Sequence, residues 1–302
     1  MNGFLKNFPP WGWTGIVLIL VFWPLNWLGP EGITRWGFFP LWLGYCLTVD
    51  GLVYLRKGSS MASRSWKKYS ALFVISIPLW WLFEALNLRL DNWHYLGRET
   101  FSDLQYALLA SLSFSTVVPA VLGSAELAGS LDLLQPLRDW WVFRPGRRGE
   151  IFTFLLGWLS LGAVLLWPTY FFPLVWLAVY LIIEPVNRWL GFPTLVDWTK
   201  NGDWRPYGAL FLGVLVTGFF WEMWNYYAFP KWIYRVPFVD FWKIFEMPLL
   251  GYGGYLPFSL EIFAVTRLVF GMLGWDLISY LPIVKDASEL SSASSRVSRS
   301  EA

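Results

Sequence analysis

The chain has 302 residues, of which 56% are hydrophobic and only 15% charged, with a formal net charge of +2. A soluble domain carries about 25% charged residues, so this composition excludes an ordinary soluble protein, and the near-zero net charge gives no nucleic-acid signature. One cysteine, Cys46, and one histidine, His94, exclude an intramolecular disulfide and a His- or Cys-rich metal centre; no metal and no cofactor is expected.

The apolar residues fall in blocks long enough to cross a hydrocarbon core as helix. The first block runs roughly from Trp11 to Leu28 and carries a Trp23-Pro24 step near its end. It lacks a small-residue cleavage site and reads as a retained helix. After a loop with Pro30, Glu31 and Arg35, the second block runs roughly from Gly37 to Leu55, opens on Phe38-Phe39-Pro40-Leu41 and carries Asp50. The next loop holds Arg56, Lys57, Arg64, Lys67 and Lys68 without an acid. The third block, about Ser70 to Leu88, ends on Glu84 and Asn87, and a polar loop with Trp93, His94, Tyr95 and Arg98 follows. The fourth spans Phe101 to about Gly129, with Asp103 at its start and Pro119 inside.

Residues 130–150 are basic and amphipathic and form the joint between two halves. The fifth block, about Ile151 to Trp167, ends in Trp167-Pro168. The sixth opens on Phe171-Phe172-Pro173-Leu174 and carries Glu184. The seventh, about Tyr207 to Ala228, carries Glu222 and Asn225 and precedes Trp232 and Tyr234. From Phe241 to Leu281 lie about 41 residues, too long for one crossing. Pro and Gly weaken helix, so a break is expected between Gly251 and Pro257, with Phe241–Leu256 re-entrant or interfacial and a full helix from about Phe258. The Ser-rich tail 285–302 is expected to be disordered.

The landmarks of the first half recur in order in the second. Glu84 and Asn87 recur as Glu222 and Asn225 at one common offset, and Trp93 and Tyr95 recur as Trp232 and Tyr234 at nearly the same one. Trp-Pro, Phe-Phe-Pro-Leu, Asp50 with Glu184, Asp103 with Asp240, and Pro119 with Pro257 extend the match. The expected fold is therefore all-α: a polytopic membrane protein of about eight helices in two tandem four-helix repeats, 1–129 and 151–284. Units with an even helix number insert with the same orientation. About sixteen Lys and Arg fall on one side against about six on the other, which puts both termini in the cytoplasm of a cell (inner) membrane.

A charge in hydrocarbon costs about 2.5–3.5 kcal/mol on insertion scales, so intramembrane polar residues mark function or helix packing. Glu84 with Asn87, and Glu222 with Asn225, each share a helix face. These four are the catalytic candidates. The substrate-binding candidates are Trp81, Trp93, Tyr95, Trp221, Trp224, Trp232, Tyr234, Tyr252, Glu246 and Glu261, though interface belts also collect Trp and Tyr. In kind the chain resembles the membrane carotenoid cyclases, which are small, helical and built of related halves. The likeness rests on Leu256-Pro257 with Glu261 following and on aromatic content, and it assigns no residue a role.

Three functions compete. An enzyme on a lipid or isoprenoid would hold one enclosed, aromatic-lined cavity with Glu as acid and base. A transporter or lipid translocator would open to both sides and use intramembrane carboxylates. A structural or assembly subunit would be a packed bundle. The expected partners are membrane lipid, further membrane proteins or a second copy of the chain, and no nucleic acid.

Overall fold

The computed structural model describes residues 7–29 and 34–284. Among them, eight helices are long and apolar enough to cross a membrane. We number the helices α1 Pro10–Leu28, α2 Phe38–Lys57, α3 Trp66–Leu90, α4 Asp103–Phe114, α5 Val117–Gly129, α6 Arg147–Leu166, α7 Val175–Trp189, α8 Arg205–Tyr226 and α9 Tyr252–Met272. α4 and α5 together make one of the eight candidate spans. The expected disorder of 285–302 and the loop residues Pro30 and Glu31 lie outside the described residues.

Local chemistry sets the helix ends. Gly58 closes α2 at φ 72°, and Ser65 caps the start of α3 by accepting from the Lys68 amide. α1 lies against α2 through facing glycines. A Cβ added at Gly15 would stand 2.6 Å from the Thr48 amide nitrogen, so only glycine lets these backbones approach so closely. Trp42, Tyr69, Phe83, Trp224, Phe258 and Phe263 are the large side chains of the buried centre.

Two segments depart from the sequence reading. The fourth block is interrupted at Ser115 and Thr116, giving α4 and α5. Pro119 has no amide hydrogen and sits in the first turn of α5, where none is required. Ser76 of α3 stitches the gap: its hydroxyl donates to the Phe114 carbonyl and accepts from the Val118 amide. The last helix shows the opposite. α9 runs without interruption through Gly253, Gly254 and Pro257, where a break was expected. Neighbouring helices accommodate proline within a membrane helix. The irregular backbone lies earlier, in residues 235–251, which hold a small hairpin of Lys243–Ile244 with Met247–Pro248 and a 3₁₀ turn Leu249–Gly251.

Strand also appears, in one case where the sequence suggested a polar loop. β1, Trp93–Leu96, follows α3, and β2, Lys231–Tyr234, follows α8. They pair antiparallel, with Trp93 opposite Tyr234 and Tyr95 opposite Trp232. The ribbon thus ties together the ends of two helices that stand in different halves of the sequence. It puts all four aromatics on one face, since alternate residues of a strand share a side.

Candidate functional site

The geometry of the Glu-x-x-Asn helix end explains its spacing from Trp-x-Tyr. At the end of α3, the Asn87 side chain donates to the Trp93 carbonyl at 2.8 Å and accepts from the Asn92 and Trp93 amides at 3.0 and 3.3 Å. At the end of α8, Asn225 donates to the Trp232 carbonyl at 2.7 Å and accepts from the Trp232 amide at 2.9 Å. Each amide thus acts as a short piece of neighbouring strand and pins the returning chain to its own helix. The tyrosine two positions further on shares the strand face of the pinned Trp and reaches back to the Glu one helical turn below the Asn.

Glu84 Oε1 accepts from Tyr95 Oη at 2.6 Å, Trp80 Nε1 at 3.0 Å and Trp93 Nε1 at 3.1 Å. Glu222 is fully buried, and its Oε1 accepts from Tyr255 Oη at 2.7 Å and Tyr234 Oη at 2.8 Å. Glu222 Oε2 makes no hydrogen bond of good geometry among the described residues, nor does the indole N–H of Trp232, which stands beside the same carboxyl. Burial, and then the adjacent Glu84, push the Tyr95 hydroxyl well above its ordinary range; burial and Glu222 do the same for Tyr234. Both tyrosines are therefore neutral donors at neutral pH.

These donors wall a cavity of about 210 Å³. Trp80, Trp93, Tyr95, Trp221, Trp232, Tyr234 and Tyr255 line it, while the carboxylates sit behind their donors. Trp176 stacks on Phe83 and Trp93 and, with Phe258, closes the deep side. Of the substrate-binding candidates, Trp93, Tyr95, Trp221, Trp232 and Tyr234 meet here. The others lie elsewhere. Trp81 donates to Ser111 Oγ at 2.9 Å. Trp224 is buried against Trp23, Trp42 and Tyr45, and its carbonyl accepts from Asn26 and Trp27. Tyr252 donates to the Ile244 carbonyl at 3.2 Å, and Glu246 pairs with Lys231 at 2.5 Å. Glu261 accepts from the Val179 amide at 3.1 Å, away from the cavity lining.

Two donors escape sequence reasoning. Trp80 carried a signal, standing one turn before Glu84. Tyr255 carried none, because nothing in the sequence joins it to the distant Glu222 across an irregular connection.

Other buried carboxylates are placed differently. Asp50 accepts from the Ala62 amide at 3.1 Å, Ser60 Oγ at 2.6 Å and Trp11 Nε1 at 2.9 Å. Glu184 accepts from the Leu195 amide at 3.0 Å. Each holds the first turn of a short helix, Met61–Arg64 and Leu195–Thr199, and both turns open on a capping box, Ser60 with Ser63 and Thr194 with Asp197. Among the described residues no group of three or more His, Cys, Asp or Glu could hold a metal ion.

Eight apolar helices around a buried polar cluster are compatible with an integral membrane protein. Compared with protein-family models, curated proteins and solved structures, the chain gives no match.

Proposed function

We propose that the chain is a membrane enzyme acting on a lipid or isoprenoid, with Glu84 and Glu222 as acid and base and the cavity as substrate seat. One observation carries this reading: Tyr95, Tyr234 and Tyr255 each touch a carboxylate, half-buried Glu84 or fully buried Glu222, and also line the cavity. A proton on Glu222 passes to the tyrosine oxygen as the tyrosine gives its own to the substrate; the return transfer makes the same pair a base. Cationic character so formed meets the faces of Trp80, Trp93, Trp176 and Trp221. Asn87 and Asn225 act as positioning residues, because their amides are committed to the strand backbone. The lining around Phe114, Val117 and Phe258 is apolar and carries no charge, which favours a substrate seat over a transport path.

We further propose two four-helix repeats of the same orientation, with both termini on the cytoplasmic side of a cell membrane. The matched roles of Glu84 with Glu222, Asn87 with Asn225 and Asp50 with Glu184 support the repeat, and the Lys and Arg asymmetry supports the orientation.

The test is a mass-spectrometric comparison of lipid extracts from cells carrying wild type, a deletion, Glu84→Gln and Glu222→Gln. The expected result is a defined lipid species lost in the deletion and in the normally expressed Gln variants. A deletion that leaves every lipid unchanged overturns the enzyme reading.

A further inference from the structure

The charged side chains of the cavity stand at one end. Its cations are Arg35, between α1 and α2; Arg98, just after β1; and Lys231, the first residue of β2. All three sit at the ribbon end, for Lys231 pairs with Leu96 in the ribbon and Arg35 stacks over Phe101, with its carbon Cζ 5.1 Å from the ring centre. No carboxylate of the described residues lines the cavity. From that end the lining descends one face of α4 through Tyr106, Leu109, Ser113 and Phe114 and meets Val117 at the start of α5. At a helical rise of about 1.5 Å per residue, Tyr106 to Phe114 is roughly 12 Å of depth, ending among aromatic rings.

The three cations are held to different degrees: Lys231 pairs with half-buried Glu246 and donates to the Tyr226 carbonyl at 3.1 Å, Arg98 donates to the Phe101 carbonyl at 3.2 Å and lies over the Tyr106 ring, and Arg35 is the least engaged. Arg98 pairs with Asp103, whose side chain is 97% exposed, and an ion pair so open to solvent contributes little. Arg35 has no ion pair among the described residues. Asn92, 5% exposed, lines the cavity beside the other end of the ribbon, across from Arg235, and its side-chain oxygen has no partner among the described residues. A buried polar atom without a partner is costly, so it points to a ligand group that donates to it.

We infer that the cavity takes an amphiphile with an anionic headgroup, a phosphate or a carboxylate, its head among Arg35, Arg98 and Lys231 and its apolar chain against Trp80, Trp176, Trp221 and Phe258. Guanidinium groups match both anions through paired N–H donors. Glu84 and Glu222 do not oppose the headgroup, since they lie behind their donors. The inference rests on the proposed enzyme reading and names the substrate class of that same cavity.

The test uses the full chain in detergent, titrated by native mass spectrometry with four probes sharing one chain: oleyl phosphate, oleate, oleyl alcohol and oleylamine. The two anions are expected to bind about tenfold or more tighter than the alcohol, the scale of one charge-assisted hydrogen bond. Arg35→Gln and Arg98→Gln should each remove most of that preference, Arg35→Lys should restore part of it, and Arg148→Gln, outside the cavity, should leave it intact. Alcohol bound as tightly as the anions overturns this inference and leaves the enzyme reading standing. Unchanged selectivity in both Gln variants overturns the placement of the headgroup. Inorganic phosphate displacing oleyl phosphate at equal concentration overturns the seat for the chain. No binding by any probe counts against both readings.

Discussion

Glu84 and Glu222 occupy matching places on α3 and α8, each one turn below an Asn that pins a strand, yet they are held by different hands. Glu84 draws its third donor from its own helix, Trp80, one turn earlier. At the matching place on α8, one turn before Glu222, stands Gly218. A Cβ added there would lie 2.6 Å from the Tyr255 ring, so the missing side chain is what admits Tyr255 from α9. In the first half the position that answers Tyr255, by the offset that relates Glu84 to Glu222, is Val117, which has no hydroxyl to offer. One Trp-to-Gly difference thus turns a carboxylate held within a single helix and its strand into one shared between α8 and α9. Glu84 is also half-buried with three donors on one oxygen, whereas Glu222 is wholly buried with one oxygen making no hydrogen bond of good geometry among the described residues. The second site is the more costly to build and the better placed to give up or take a proton.

The largest effect should come from the asparagines, which hold the frame of both sites. Asn225 is wholly buried, so Asn225→Ala leaves the Trp232 N–H and C=O without their partner and is expected to cost about 2–5 kcal/mol. Asn87→Ala should cost less, because Asn87 is half-buried and water can replace part of what is lost. Thermal unfolding of the full chain in detergent measures both, and equal losses would erase the distinction between the two sites.

Next comes Gly218→Ala. Overpacking against Tyr255 should cost about 1–3 kcal/mol and move the Tyr255 hydroxyl away from Glu222. The double variant with Tyr255→Ala should recover much of the Gly218→Ala strain, so the cycle should show coupling of about 0.5–3 kcal/mol. Strictly additive losses would mean that Gly218 makes room for something other than Tyr255.

Tyr255→Phe and Tyr95→Phe ask whether the difference matters for chemistry. Each removes one hydroxyl for about 1 kcal/mol of stability. Tyr255→Phe leaves Glu222 one donor and should abolish the lipid product. Tyr95→Phe leaves Glu84 both indoles and should only lower it. The same product level in both variants would make the two carboxylates equivalent.

Much of this comparison was legible in the sequence. Eight apolar blocks are visible because crossing length is fixed by membrane thickness. The Glu-x-x-Asn and Trp-x-Tyr signatures are visible because their partners are local, each Glu and its strand tyrosine lying close together in the chain. What the sequence hid depends on distant pieces meeting. The β1–β2 pairing joins residues far apart, Tyr255 reaches Glu222 through the space at Gly218, and Ser76 holds open the break before Pro119. The same kind of context made Pro257 misleading: proline removes a donor wherever it stands, but only its surroundings decide whether a helix ends there. Trp81, Trp224 and Glu261 show the complementary limit, since composition marks them as candidates and only packing sends them away from the cavity.

The smallest effect separates two kinds of buried carboxylate. Glu184 and Glu222 are both nearly or wholly inaccessible, but Glu184 meets a backbone amide at the start of a short helix, whereas Glu222 meets tyrosine hydroxyls at a cavity wall. A neutral amide oxygen can still accept from the Leu195 amide, so Glu184→Gln should lose only about 1 kcal/mol or less and leave the lipid profile unchanged. Glu222→Gln keeps the same acceptor geometry for Tyr234 and Tyr255 but can no longer exchange a proton, so its stability should barely move while the product disappears. Lipid extracts and unfolding midpoints read on the two variants together decide between the roles. If Glu184→Gln also abolishes the product at unchanged stability, proton exchange is not special to the cavity and the division between capping and cavity carboxylates falls.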